Sequence, residues 1–355
     1  LGYTAFVTCI TAYTVKNGYV GNVLIPAAKS NFNVLINSSK SQLTPTEHIS
    51  IDIKYKNILK LNKKRNEAVK NTYLIKEESD WVPGIASYKK EKYPLSIRLK
   101  GLLKNHWGND GLWTYKIKLR GDKTILGMKR FAIQHPRTRG YMNEWYFNKM
   151  SHYYGLIAPR FSFSSITING KRYPIYAIEE NFDKYLIENN SKKEGPIFML
   201  VNRRKTKDYM EFYTDISFHQ KDYYQSYDEG KKLIRRAERL IKSYFSGDLK
   251  ASEVFDLDLM AKAFVLTDLY GWDHALHTHN IRFYMNPLTG LIEPIPFGQE
   301  EIYDAKIRGL VGERFINLSK HINSKELKSI PVTFHFISKL FEDSEFSTKY
   351  INKLE

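Results

Sequence analysis

The chain has 355 residues, and 55 Lys and Arg against 38 Asp and Glu give it a formal net charge of +17. Hydrophobic residues make up 42% of the chain and charged residues 26%, which indicates a globular protein and excludes a disordered one. Cys9 is the only cysteine, which excludes a disulfide-built scaffold. No apolar run of about 18–20 residues follows the first few positions, which excludes a multi-span membrane protein.

The positive charge favours anionic partners such as phosphates, acidic sugars, anionic lipid heads or nucleic acid. A Lys-rich composition explains much of the charge by itself, because the basic residues are spread along the whole chain. No nucleic-acid-binding motif accompanies them. We therefore do not expect nucleic acid as a partner.

The N-terminal segment has two interpretations. Leu1 to Val15 is uncharged but too short and Thr-rich to span a bilayer unaided. As the end of a signal anchor, followed by a stem within residues 1–47, it predicts a single membrane anchor and a cell-envelope protein facing outside the cytoplasm. As an ordinary buried strand or helix, it is equally compatible with a cytoplasmic location.

Strands dominate the predicted elements of the first half. Alternating apolar residues and turn signals predict strands at 48–55, 71–77, 94–100, 114–120, 162–168 and 173–179. Helical spacing predicts helices at 56–70 and 141–153. Asn169-Gly170, between the last two strands, predicts a tight hairpin.

Helices dominate the second half. They are predicted at 229–245, from Asp256 to about Tyr270, and twice within 322–344, with two short strands at 281–285 and 291–295. The tyrosine-rich stretch 209–227 predicts a surface insertion that contacts a partner. The whole pattern predicts an α+β protein with a strand-rich lobe and a helix-rich lobe.

The loop 271–280 combines the polar side chains that phosphoryl transfer needs. Asp273 and Asn280 lie between a predicted helix and a strand, as the Asp and Asn of a protein-kinase catalytic loop do. In that chemistry the Asp orients or deprotonates the attacking hydroxyl, and the Asn holds a magnesium ion. Their spacing of seven residues is looser than the usual five.

Three histidines in the same loop allow a metal interpretation. His277 and His279 share a face if the segment is extended, and His274 is close enough in sequence to join them. No H-E-x-x-H or similar zinc pattern completes the set. Structural or hydrogen-bonding histidines are the other interpretation.

The stretch 113–188 contains six short motifs in one order. They are Tyr115-Lys116-Ile117-Lys118-Leu119, Leu126-Gly127-Met128-Lys129-Arg130-Phe131, Asn143-Glu144-Trp145, Ala158-Pro159-Arg160, Ile168-Asn169-Gly170 and Tyr176-Ala177-Ile178-Glu179-Glu180. With these motifs the stretch resembles the spore coat protein H (CotH) family of atypical kinases. The segment 264–296, with Asp273 and Asn280, fits the same family. The resemblance covers roughly residues 48–300 in one collinear order.

The resemblance implies a two-lobed, kinase-like fold that binds ATP and Mg²⁺ and phosphorylates Ser or Thr of a protein. Its N-lobe would span residues 48–180 and its C-lobe residues 181–355. Asp273 would be the catalytic carboxylate and Asn280 a magnesium ligand.

The resemblance also implies residues that contact the nucleotide. Lys118 or Lys116 would contact its phosphates, and both lie on one face of a predicted strand. Glu144 would hold that lysine in an ion pair, unless it is a plain surface glutamate. The backbone of Glu179 and Glu180 would meet the adenine.

One departure from the family pattern concerns the metal. Members commonly follow Ile-Pro with an aromatic residue and an Asp-x-Asp pair, whereas this chain has Phe297-Gly298-Gln299-Glu300. Glycine offers no side-chain oxygen to magnesium, so Glu300 is the remaining candidate ligand. The alternative to an active kinase is a pseudokinase, or an envelope scaffold that binds an anionic polymer or a partner protein.

Loop arginines offer further anion contacts. Arg137 and Arg139 follow the turn at Pro136, where guanidinium groups can form bidentate bonds to phosphate. Arg98 and Lys100 lie on one face of a strand, where a solvated edge is the simpler interpretation.

Overall fold

The computed structural model describes residues 47–108, 111–204, 212–300, 310–312 and 332–355. The expected N-terminal stem and anchor lie outside these ranges, apart from Glu47. In the described parts of the chain, no helix is long and apolar enough to cross a bilayer. Residues His48–Glu355 belong to one structural unit.

Seven strands between residues 48 and 180 form a closed barrel within the described residues, in the spatial order β1-β2-β3-β4-β5-β7-β6. They are β1 (His48–Asp52), β2 (Val82–Tyr88), β3 (Glu91–Leu99), β4 (Tyr115–Leu119), β5 (Arg130–Gln134), β6 (Phe161–Ile168) and β7 (Lys171–Glu180). Neighbours pair antiparallel, except the parallel pair β1 and β6. On β4, Ile117 and Leu119 are buried inside, whereas Lys118 is exposed on the outer wall.

The hairpin between β6 and β7 is confirmed. Asn169 and Gly170 both have positive φ, 47° and 77°, as a two-residue type I′ turn requires. The Asn169 amide also reaches the end of β1, where Oδ1 accepts a hydrogen bond from the Ile53 N–H at 2.7 Å and Nδ2 donates to the Ile53 carbonyl at 2.8 Å. This side chain fixes the hairpin to the neighbouring strand.

The helix predicted at 56–70 is confirmed as α1 (Tyr55–Asn71), but the strand predicted directly after it is wrong. Thr72 has a φ of 65° and ends the helix in the left-handed conformation. The segment that follows is a loop held by Leu74, which is buried and donates its N–H to the Leu102 carbonyl at 3.0 Å. The apolar pattern of this segment therefore comes from a loop that buries Leu74, not from a β-strand.

The rest of the described chain combines helices with a four-stranded sheet of order β11-β10-β8-β9. The strands are β8 (Ile197–Arg204), β9 (Phe212–Phe218), β10 (Arg282–Met285) and β11 (Ile292–Ile295). The helices are α2 (Asn143–Tyr153), α3 (Lys184–Asn189), α4 (Lys221–Gln225), α5 (Asp228–Ser246), α6 (Ala251–Val254), α7 (Leu257–Leu269), α8 (Val332–Glu342) and α9 (Ser344–Leu354).

Two predicted helices of the second half are confirmed with their local signals. Helix α5 buries its apolar face, including Leu233, Ala237 and Leu240. Asp256 caps α7, because its carboxylate accepts a hydrogen bond from the Leu259 N–H at 3.0 Å.

The surface insertion expected at 209–227 is corrected by the structure. From residue 212 onward the segment contains β9 and α4, and Tyr224 is buried with its hydroxyl donating to the Gly195 carbonyl at 2.8 Å. Residues 209–211 lie outside the described ranges. The two C-terminal helices lie at 332–342 and 344–354, later than expected, and residues 322–331 are outside the described ranges.

The described residues form an α+β protein, as predicted, and the closed barrel is a feature that the sequence did not predict. One apolar cluster fills the barrel around Trp107 and Phe131. A separate cluster packs the helices against the four-stranded sheet around Phe255, Phe264 and Phe336.

Candidate functional site

The loop after α7 carries the predicted catalytic carboxylate. Gly271, with a φ of 62°, turns the chain out of the helix, and a 3-10 turn spans Asp273–Leu276. Asp273 is buried, and its Oδ1 lies 3.6 Å from Nε2 of His277. The carboxylate is therefore held in place by the loop rather than free in solvent.

The three histidines of the loop lie together. The ring centroids of His274, His277 and His279 are 5.3–5.6 Å apart, and the Trp272 ring stacks on His274 at 4.3 Å. Burial, together with the neighbouring imidazoles, lowers the pKa of His279 to about 4. Across the described residues, no three His, Cys, Asp or Glu side chains converge as metal ligands. The cluster is an aromatic and hydrogen-bonded unit.

Gly298 lies directly against Asn280. The Gly298 carbonyl accepts a hydrogen bond from Nδ1 of His274 at 2.7 Å, and Asn280 Nδ2 donates to the His274 carbonyl at 2.9 Å. Gly298 has a φ of 89°, and a Cβ added there would lie 3.0 Å from Cγ of Asn280. A carboxylate-bearing residue at this position would be both strained and crowded.

Glu144 lies at Gly298, not beside the lysines of β4. It comes from the first turn of α2, is fully buried, and its Oε1 accepts a hydrogen bond from the Gly298 N–H at 3.1 Å. Its Oε2 has no hydrogen-bond partner among the described residues. Burial raises the pKa of Glu144 to about 7, against the lowering effect of the Arg139 charge. The interpretation of Glu144 as a plain surface glutamate is therefore wrong.

Arg139 is the centre of a buried ion-pair network. Its Nε donates to Oε2 of Glu179 at 2.7 Å, and its Nη1 donates to Oε2 of Glu300 at 2.9 Å. Lys100 pairs with the other oxygen of Glu179, and Gln134 donates to Oε2 at 2.7 Å. Burial alone would raise the pKa of Glu179, but the charges of Arg139 and Lys100 outweigh it and hold that pKa below its usual range.

Sequence analysis singled out the charged residues of this network but did not predict that they pair with one another. Arg139 was expected to bind phosphate, and Lys100 to lie on a solvated edge; the structure pairs both with Glu179. Charged residues near the ends of strands in one sheet were the available signal, since Lys100 directly follows β3, Arg139 ends the turn after β5 and Glu179 lies near the end of β7. Arg137, in the same turn as Arg139, is exposed.

The two lysines of β4 differ in environment. Lys116 is half-buried opposite Arg98, whereas Lys118 is exposed opposite Arg130. Burial lowers the pKa of Lys116 to about 7, helped by the charges of Lys100, Arg98, Lys76 and Arg130. A pocket of about 220 Å³ on the barrel wall is lined by four basic residues, Arg98, Lys116, Lys118 and Arg130, together with Trp81, Ile117 and Asn181. Among the described residues, Glu78 is its one acidic lining residue and lies 3.7 Å from the Arg98 guanidinium. This concentration of cations suits a polyanion.

The end of β7, expected to meet adenine, already uses its hydrogen-bonding groups. The Glu180 N–H donates to the Arg160 carbonyl at 3.0 Å, and the Glu180 carboxylate pairs with the Arg160 guanidinium. The Asn181 N–H donates to the Arg130 carbonyl at 3.1 Å. The side chain of Glu179 is committed to Arg139 and Lys100.

A comparison with protein families supports the resemblance noted from the sequence. The model of the family described as CotH kinase protein matches residues 89–355, three-quarters of the chain. The chain belongs to the CotH kinase family. A search of curated proteins finds no match for it. The family match begins later than the resemblance drawn from the sequence and extends to the end of the chain.

Proposed function

We propose that this chain is a CotH-family pseudokinase that binds a nucleoside triphosphate without magnesium and does not transfer its phosphoryl group. In this proposal the barrel, residues 48–180, acts as the N-lobe and residues 181–355 act as the C-lobe of a kinase-like protein. The basic pocket on the barrel wall, with Lys116 and Lys118, holds the triphosphate. Cations fixed on a sheet neutralise phosphate charge at little entropic cost.

The observation that carries the proposal is the pairing of Arg139 with Glu300. By family resemblance, Gly298 and Glu300 stand where two aspartates bind magnesium. The residues present do not fit the metal, because Gly298 has no ligand atom in its side chain and Glu300 is neutralised by a guanidinium at 2.9 Å. The Arg139 guanidinium therefore occupies the carboxylate that a magnesium ion would need.

The proposed loss of phosphoryl transfer follows from the charge balance around Arg139. In phosphoryl transfer, metal ions bridge the phosphates and neutralise the charge that develops on them, and there is little other chemistry for the protein to do. Arg139 is held by two carboxylates, Glu179 and Glu300, so its charge is already compensated. Asp273 and Asn280 then position the ligand rather than promote a reaction.

The second candidate is an active kinase that phosphorylates Ser or Thr of a protein with ATP and Mg²⁺. One observation favours it: the Glu300 side chain is 26% exposed, and Arg139 would keep Glu179 as a partner if Glu300 turned away. In this case Asp273 would accept the proton of the attacking hydroxyl.

The partner and the location are proposals as well. The formal charge of +17 suits an anionic envelope polymer or an acidic partner protein, with the domain fixed to the cell envelope by a single N-terminal membrane anchor.

Calorimetry of ATP binding to the full chain, in EDTA and in Mg²⁺, tests the proposal. We expect binding of similar affinity in both, and binding that needs Mg²⁺ in Arg139→Gln, because Glu300 then lacks its cation while Glu179 keeps Lys100. Arg137→Gln, which removes an exposed arginine from the same turn, is the control and should behave as the wild type. Binding by the wild type only in Mg²⁺, with ³²P transfer to a protein acceptor, would support the second candidate instead.

A further inference from the structure

A second pocket lies on the far side of α2 from the ion-pair network. It has a volume of about 280 Å³ and is bounded by α2, the start of β6 and the turn before β5. Along α2, Glu144 and Phe147 face Gly298 and Tyr270, whereas Trp145, Asn148 and Lys149 line this pocket. The helix therefore separates the pocket from the network around Arg139.

The floor of the pocket contains an unsatisfied amide. Asn148 is 3% exposed, and neither its Oδ1 nor its Nδ2 has a hydrogen-bond partner among the described residues. Buried amides are almost always paired, because an unpaired donor or acceptor carries the full cost of its desolvation. A ligand with an adjacent hydrogen-bond acceptor and donor would satisfy both Nδ2 and Oδ1 of Asn148.

The walls of the pocket define the rest of the ligand. Trp145 contributes a flat aromatic surface, and Met128 and Phe161 contribute apolar surface. Lys149 lies at the rim with its Nζ 5.9 Å from the centroid of the Trp145 ring. Arg160 also lines the pocket but is neutralised by Glu180. Among the residues that the structure describes, Lys149 is then the basic lining residue without an acidic partner.

We propose that this pocket binds a small planar organic anion whose ring edge carries an adjacent hydrogen-bond donor and acceptor. The ring edge pairs with the Asn148 amide, the ring lies against Trp145, and the anionic group meets Lys149. The volume, close to the lower end of the usual range of about 300–1,000 Å³ for ligand pockets, suits a single ring with one substituent. This inference does not depend on what the basic pocket of the barrel binds.

Orotate is a probe with the required features, because it combines lactam edges with a carboxylate on one planar ring. Uracil lacks the carboxylate, and 1,3-dimethylorotate lacks the N–H donors. Ligand-observed NMR on the full chain should detect orotate binding at millimolar concentration and clearly weaker binding of both analogues. Equal binding of all three compounds, or no binding of orotate, would overturn the proposal.

Two variants place the probe in the pocket. Asn148→Leu should weaken orotate binding by about tenfold or more while the thermal midpoint stays the same or rises, because it removes an unsatisfied amide of similar size. A lower midpoint with unchanged binding would show that the amide serves the fold and would contradict the proposal. Lys149→Gln, at an exposed position, should weaken orotate but not uracil.

A third variant separates the two sites. Arg139→Gln should leave orotate binding unchanged, since α2 separates the network from the pocket. Loss of orotate binding in this variant would place the probe at the network around Arg139 and overturn the inference. Failure of the wild-type chain to bind ATP, with orotate binding intact, would count against the proposed function alone.

Discussion

The guanidinium of Arg139 joins two glutamates that are far apart in the chain, Glu179 at 2.7 Å and Glu300 at 2.9 Å. Phe297 lies beneath it, with its ring centroid 4.9 Å from the guanidinium carbon. A 3-10 turn after β5, the end of β7 and the segment after β11 thus meet at one cation. This pairing links the barrel to the second half of the protein.

The network should be important for stability. Arg139→Gln leaves Glu179 buried with only Lys100 as a charged partner, and breaking a buried ion pair by removing one member costs about 3–5 kcal/mol. We expect the free energy of unfolding, measured in urea, to fall by about 3 kcal/mol. The matched control Arg137→Gln should change it by less than about 0.5 kcal/mol, as exposed substitutions do. Equal effects of the two variants would show that the network does not stabilise the fold.

Restoring an aspartate at Gly298 should not restore a metal site. Gly298→Asp places a side chain at a φ of 89° and against Asn280, so we expect a loss of about 2 kcal/mol and no gain in Mg²⁺ affinity by calorimetry. Gly155 is the control: its φ is 78°, but a Cβ there would contact nothing within 4 Å. Gly155→Ala should cost less than Gly298→Ala, and a magnesium site created by Gly298→Asp would contradict this account.

The buried carboxyl of Glu144 should make stability depend on pH. Its pKa is raised to about 7 in the folded protein by burial, so the folded state binds the proton more tightly than the unfolded state between about pH 4.5 and 7. The contribution of Glu144 to stability is therefore complete at low pH and is lost as the pH rises through this window.

The comparison with Glu144→Gln isolates this effect from the charged groups nearby, Arg139, Glu179 and Glu300. From pH 5 to 8, the variant should gain on the order of 2 kcal/mol relative to the wild type. Unfolding in urea at both pH values measures the difference. A difference that does not change with pH would show that Glu144 is ionised throughout.

The two lysines of β4 should differ in their response to a bound triphosphate. Lys116 has its pKa lowered to about 7 by burial and by neighbouring cations, so anion binding should raise that pKa and take up a proton near pH 7.5. ATP affinity should then fall as the pH rises from 6 to 8. Calorimetry in buffers of different ionisation enthalpy measures the proton directly.

Substitution distinguishes the two residues. Lys116→Gln should weaken ATP binding and abolish the proton uptake, whereas Lys118→Gln, at the exposed position two residues away, should weaken binding and keep the uptake. Uptake that survives Lys116→Gln would assign the titrating group elsewhere.

Local patterns predicted those parts of the fold that local forces decide. The Asn169-Gly170 hairpin, the apolar face of α5 and the Asp256 cap each depend on residues within a few positions of one another. Strand β2 escaped prediction because it contains Pro83 and Gly84, which normally indicate a turn.

The sequence was sufficient to select the residues of the candidate site but not to predict which of them contact one another. The partners of Arg139 lie 40 and 161 positions away in the chain, so nothing in the local sequence indicates their pairing. The glycine in place of an aspartate was visible in the sequence, but its positive φ and its contact with Asn280 were not. Barrel closure, by the parallel pairing of β1 with β6, is likewise a property of long-range pairing.

A crystal structure of the full chain with ATP and Mn²⁺, with the metal located by its anomalous scattering, tests the central claim most directly. The account predicts phosphates against Arg98 and Lys116, Arg139 still paired with Glu300, and no manganese bound by the protein at Glu300. Manganese coordinated by Glu300 and Asn280, with Arg139 displaced, would contradict it.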